Sequence, residues 1–179
     1  MPTNIEIKAR IDSVQALLPR ALALAGATAA ELIEQDDSFF NVAHGRLKLR
    51  RFAAGGAELI HYHRADGTQA RASDYVRVPV PDADGLHAAL ARACGDIGRV
   101  RKRRLLVRVG PTRIHLDRVD GLGDFMELEV VLRDGQPAAE GMVIAEALMT
   151  DLGLAEAPRV AGAYLDLLSA SSGGMAAAK

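Results

Sequence analysis

The chain has 179 residues, 22 of them Lys or Arg and 23 Asp or Glu, for a net charge of −1. An apolar fraction of 49% and this length suit one folded core and exclude disorder over most of the chain. The balanced charge hides clustering and says little about partners, though it does not indicate a generally basic nucleic-acid surface, and no apolar run is long enough to cross a bilayer, the longest low-charge run being Ala21 to Ala30.

Asn4 to Ile11 alternates, with Ile5, Ile7, Ala9 and Ile11 on one side and Glu6, Lys8 and Arg10 on the other. That period of two predicts a first strand. Asp12 or Ser13 then caps a helix through Val14, Leu18 and Leu22, with Pro19 expected to kink or reset it and Gly26 to stop it. Glu34 to Asn41 reads as a second extended segment. Arg46-Leu47-Lys48-Leu49-Arg50 is a third, with three cations on one face. Like charges side by side are unfavourable unless an anion lies across them.

Ala54-Gly55-Gly56 is a turn into a strand from Glu58 to Arg64. His61 and His63 share a face there, but no third ligand is spaced to join them, so two surface imidazoles are the simpler reading. Asp66-Gly67 marks a turn, and Ser73 to Val80 a further strand. Asp82 or Asp84 opens a helix that ends at Gly95, and the single cysteine, Cys94, falls on it as a small core residue. One cysteine cannot form an internal disulfide, which suits a reducing compartment, and the N-terminus has no apolar signal segment. A cytoplasmic protein is expected.

The basic run Arg99 to Arg104 leads straight into Leu105-Leu106-Val107 and reads as the start of a strand rather than a targeting signal. Thr112 to Val119 places Arg113, His115 and Asp117 on one face. After the turn Gly121-Leu122-Gly123, Met126, Leu128, Val130 and Leu132 alternate with Glu127 and Glu129. Helices are expected over Ala138 to Leu152 and Val160 to Leu168. Residues 1–168 form one domain, and 169–179 read as a disordered low-complexity tail.

Nearly every strand thus opposes an apolar face to a charged one. If the sheet curls far enough, the charged faces line an interior. A charged interior is costly unless it holds a charged, water-soluble ligand. Arg and Lys suit phosphate oxygens, and carboxylates suit Mg²⁺ or Mn²⁺. The phosphate-loop, nucleophile-elbow, H-E-x-x-H and C-x-x-C patterns are absent.

In order and spacing these pieces resemble CYTH proteins, the triphosphate tunnel metalloenzymes, in a form similar to the class IV adenylate cyclase branch. The family's E-x-E-x-K signature corresponds to Asn4-Ile5-Glu6-Ile7-Lys8, its basic strand to Arg46 through Arg50, its late basic pair to Lys102 and Arg104, and its metal segment to Asp117 through Glu129. Two positions depart from the pattern: Asn4 stands where the family has an acid, and Arg64 where it usually has a lysine.

The resemblance implies an α+β fold, an antiparallel eight-stranded β-barrel with helices packed outside. It implies that Glu6, Asp117, Glu127 and Glu129 hold Mg²⁺ or Mn²⁺. Lys8, Arg10, Arg46, Lys48, Arg50, Arg64, Lys102, Arg104 and Arg113 would clamp a triphosphate, with Glu6, Lys8 and Arg64 at the catalytic positions. The implied activity is conversion of ATP to cyclic AMP and pyrophosphate. Hydrolysis of inorganic or thiamine triphosphate and non-catalytic polyphosphate binding are the alternatives. The implied partner is a nucleoside triphosphate or other triphosphate, with no nucleic acid or membrane and with room for a homodimer.

Overall fold

The computed structural model of the chain describes residues 3–64 and 71–175, with side chains at all of these except 3, 64, 71–73 and 172–175. Eight strands form in chain order: β1 Thr3–Arg10, β2 Glu31–Phe40, β3 Arg46–Phe52, β4 Ala57–Arg64, β5 Arg71–Pro79, β6 Asp96–Val109, β7 Thr112–Val119 and β8 Gly123–Val131. Four helices join them: α1 Val14–Ala25, α2 Ala83–Cys94, α3 Ala138–Asp151 and α4 Tyr164–Met175. All strand pairs are antiparallel, and the order β1-β5-β4-β3-β2-β6-β7-β8 closes because β8 pairs back onto β1. The fold is the expected α+β barrel.

Closure follows from the alternation. The apolar faces of β1, β7 and β8 turn outward, where Ile5, Ile7, Ile114, Leu116, Met126 and Leu128 are buried under α1 and α3. Phe40 and Leu49 pack outward beneath α2. The charged faces are left to the inside, and closure removes every sheet edge.

The caps follow the sequence. Ser13 Oγ accepts from the Ala16 amide at the start of α1, and Asp82 accepts from the Gly85 amide at the start of α2. The reset expected at Pro19 does not occur. α1 runs unbroken to Ala25, and Pro19 is exposed, so the carbonyl it leaves unpaired can face water. Gly121 and Gly123, at φ 76° and 96°, make the β7–β8 turn that an L-residue would strain.

β6 shows the basic run divided by the pleat. Lys102 and Arg104 point inward and are buried, while Arg99 and Arg103 point outward and pair with Asp36 and Glu34 of β2.

α4 departs from expectation. It begins at Tyr164 and continues to Met175, so the first part of the segment expected as a tail is helical. Ser169 and Ser171 hydroxyls donate back to the Leu165 and Leu168 carbonyls, which lets these residues sit in a helix. α4 seats on one end of the barrel, where Tyr164 and Leu165 pack on the inward-facing Phe39, Val100, Val119 and Phe125. Gly98 makes room for it, since a Cβ there would run into Leu165. The turn expected at Asp66-Gly67, the Arg64 side chain and residues 176–179 lie outside the described residues.

Candidate functional site in the barrel lumen

The lumen holds a cavity of about 340 Å³. Its two sides differ in charge. On one side, register brings carboxylates together: Glu6 of β1 lies opposite Glu129 of β8, and Glu127 lies opposite Lys8 on one flank and His115 on the other. Glu129 accepts two hydrogen bonds from Arg113, at 2.7 and 2.8 Å, and a third from the Asn4 side-chain amide. Glu127 accepts from Arg104 at 3.0 Å, with Lys8 Nζ 3.9 Å away. Asp117, fully buried, accepts from Arg104 Nε and Nη2 at 2.7 and 2.6 Å and from the Tyr164 hydroxyl at 2.9 Å.

The other side is basic and is built on β2, β3 and β6. Lys48, Arg50 and Lys102 face inward, with Asp37 of β2 among them. Asp37 accepts from Lys48 Nζ at 3.0 Å and from Arg50 Nε and Nη2 at 2.7 Å each. Tyr164 roofs both sides: its ring lies 4.1 Å from Lys8 Nζ and 5.1 Å from Lys102 Nζ.

Burial and charge work against each other throughout. Burial alone would raise the carboxyls of Asp37, Asp117 and Glu127, but neighbouring cations outweigh it. Lys48 and Arg50 hold Asp37 well below the usual carboxylate range, as Arg104 and Lys102 hold Asp117. Lys8 and Arg104 do the same for Glu127. On the basic side, burial and the Arg50 charge push Lys48 down to about 8, against the pull of Asp37. Lys102 is lowered by burial and by Arg104. Cations crowded this way gain from an added anion.

Of the residues singled out in the sequence, Glu6, Lys8, Lys48, Arg50, Lys102, Arg104, Arg113, Glu127 and Glu129 line the cavity. Asp117 stands behind it, committed to Arg104 and Tyr164. Arg46 turns to Asp166 of α4 through bonds of 2.9 and 2.8 Å and latches that helix. Arg10 lies over the Phe125 ring and donates to the Leu122 carbonyl. His61 and His63 are exposed on the outer face. Asp37 and Tyr164 were not singled out. The alternation of β2 could have found Asp37, which is in register with Arg50. No local pattern marks Tyr164, whose place depends on how α4 docks.

The acids of the lumen bear on whether it suits a divalent cation. Among the described residues, no three Asp, Glu, His or Cys groups already stand as a cation nest. Yet Glu6, Glu127 and Glu129 offer hard oxygens from adjoining strands. Two buried polar atoms beside them, Asn4 Oδ1 and His115 Nδ1, have no hydrogen-bond partner among the described residues. Oxygen-rich donors with unsatisfied capacity fit Mg²⁺ or Mn²⁺.

Comparisons with known proteins agree with this architecture. The CYTH domain family model matches residues 2–164. Adenylate cyclase CyaB of Aeromonas hydrophila is 28% identical over 179 residues, 94% of this chain and 90% of its own length. The solved PH1012 protein of Pyrococcus horikoshii OT3 has a TM-score of 0.80 at 24% identity, with 92% of this chain and 99% of that one covered. HpAC1 from Hippeastrum, described with a dominant triphosphatase activity, has a TM-score of 0.69 at 15% identity, with 96% of each chain covered. At these identities the two solved structures show a common fold. Among the described residues, no helix is long and apolar enough to cross a membrane.

Proposed function

Since the chain belongs to the CYTH domain family, we propose that it binds a nucleoside triphosphate in the barrel lumen and converts it as a class IV adenylate cyclase does, ATP giving cyclic AMP and pyrophosphate. The observation that carries this reading is the facing of a basic wall and a carboxylate wall across one cavity in the barrel lumen. The name of the Aeromonas relative supports the choice of reaction.

Lys48, Arg50 and Lys102 would take the phosphate oxygens on one side and Lys8 and Arg113 on the other. Glu6, Glu127 and Glu129 would hold Mg²⁺ or Mn²⁺, with Asp117 behind them orienting Arg104. When bound, such an ion supplies Lewis-acid stabilisation of charge on the phosphates and activation of the attacking hydroxyl. In the cyclase reaction the ribose 3′-oxygen forms a bond to the α-phosphorus. The bond from that phosphorus to the α,β-bridging oxygen breaks, pyrophosphate leaves with the electron pair, and the hydroxyl proton is lost to solvent. The cations of the basic wall would steady the departing pyrophosphate as its charge grows.

The wall composition supports a substrate that carries a ring. Ile33, Phe52, Leu106 and Tyr75 line the lumen, with the charged Glu31, Glu58, Arg77 and Arg108 among them, and the Tyr75 ring is 5.2 Å from the Arg77 guanidinium. Apolar and aromatic groups in the lining suit a nucleoside.

A product panel tests the reading. ATP, thiamine triphosphate and inorganic triphosphate are each incubated with Mg²⁺ or Mn²⁺. Cyclic AMP with pyrophosphate is the expected result. Orthophosphate release in its place would make the protein a triphosphatase, and tight binding with no product would make it a binding module.

A further inference from the structure

Asp37 is a buried acid set among the cations that would meet the substrate. Its side chain is 2% exposed, and both of its oxygens are used. Oδ1 accepts from Arg50 Nε, and Oδ2 accepts from Arg50 Nη2 and Lys48 Nζ. Lys48 and Arg50 leave the same face of β3 two positions apart, so their charges repel and their long side chains have many rotamers to choose from. A single carboxylate between them removes both problems. It also leaves donors over: Arg50 Nη1 has no partner among the described residues, and an ammonium group with one bond to Asp37 has two hydrogens left.

We propose that Asp37 is a positioning residue, which fixes Lys48 and Arg50 side by side so that their remaining N–H groups form one preformed phosphate-binding surface. This rests on the reading that the lumen takes a triphosphate. It assigns a role in binding to an acid, the charge type that would otherwise repel the ligand. The energy of holding two cations together is met by Asp37 before the ligand arrives, so the ligand need not order them.

The test is calorimetric titration of the whole chain with inorganic tripolyphosphate, from pH 6.5 to 9.5, for wild type, Asp37→Asn, Asp37→Glu and Lys48→Met. If wild type shows no binding, the lumen reading has failed, and with it the premise. If wild type binds, Asp37→Asn should bind about tenfold more weakly, the effect of losing one charge-assisted hydrogen bond.

A residue that only supported the fold would weaken binding equally at every pH. Asp37 should do more. The groups around Lys48 are Asp37, Arg50, Lys102, Arg104 and Tyr62, and among them Asp37 favours its charged form while Arg50 and Arg104 oppose it. Removing Asp37 should therefore move the alkaline loss of affinity to lower pH. Asp37→Glu, which keeps the carboxylate, should recover part of the affinity. Binding equal to or tighter than wild type in Asp37→Asn would overturn the proposal, and so would an unmoved alkaline limb. Should Asp37→Asn fail to fold, the charge-balanced pair Asp37→Asn/Lys48→Met decides. Its affinity should fall below that of Lys48→Met alone, because Arg50 has also lost its anchor; an equal or higher affinity overturns the proposal.

Discussion

Arg104 of β6 and Asp117 of β7 are joined by two parallel hydrogen bonds, Nε to Oδ1 at 2.7 Å and Nη2 to Oδ2 at 2.6 Å, on the lumen side of the barrel. The same Nη2 reaches Glu127 at 3.0 Å. One guanidinium therefore orders two buried carboxylates, only one of which lines the cavity. Arg104→Met should leave both acids buried without their main donor and lower stability by about 3–5 kcal/mol. Urea unfolding measures it. Arg104→Lys should recover little, since a point charge cannot reproduce the fork.

Glu127→Gln and Glu129→Gln remove charge from the wall that would hold the divalent ion. Turnover should fall by at least about 100-fold, because the ion is worth several kcal/mol of charge stabilisation. Metal-free binding of tripolyphosphate should persist, since the cations of the opposite wall are untouched. Parallel activity and binding assays check both halves; equal losses in the two would remove the metal role from these acids.

Two pH effects of opposite sign follow from Lys48. Its folded value of about 8 lies below the unfolded value of about 10.4. Between those values the unfolded chain binds more protons, so Lys48 makes the free protein more stable as pH rises there. Affinity for a polyphosphate goes the other way and weakens as pH climbs through about 8, where the ammonium is lost. Titrations in buffers of different ionisation enthalpy should show proton uptake on binding above that pH.

Asp37, Asp117 and Glu127 set the acid limit. Their folded values lie below the ordinary carboxylate range, so their contribution to stability is present above the unfolded value of about 4. It is lost as pH falls toward the folded values. Denaturant midpoints should drop steeply below about pH 4. Asp37→Asn should show a shallower drop.

Much of this site was legible because a strand face has period two. Once Glu6, Lys8, Lys48, Arg50, Glu127 and Glu129 were assigned to one face of each strand, closure alone brought them together. The same rule separated Lys102 and Arg104 from Arg99 and Arg103 within one basic run. What was not legible depended on contacts distant in sequence. Arg46 shares a face with Lys48 and Arg50, yet it turns to Asp166, because α4 docks on the barrel end nearest it. Tyr164 enters the lumen through the same docking. The length of α4 was also hidden, since Ser169 to Met175 carries low-complexity composition and no apolar stripe.

Tyr164→Phe tests that docking. It removes the hydroxyl that donates to Asp117 at 2.9 Å while keeping the ring against Lys8. A buried carboxylate oxygen that loses a donor costs roughly 1–3 kcal/mol. A lowered melting temperature with metal-free tripolyphosphate affinity little changed is expected, read by thermal unfolding and calorimetry.

A metal-bound triphosphate is expected between the two walls of the lumen. A crystal structure with a non-hydrolysable ATP analogue and Mn²⁺, using the anomalous signal of manganese, tests it most directly. The expected result is a manganese peak within bonding distance of Glu127 or Glu129 and phosphate oxygens on Lys48, Arg50 and Lys102. An analogue bound outside the barrel, or manganese held away from those carboxylates, would contradict it.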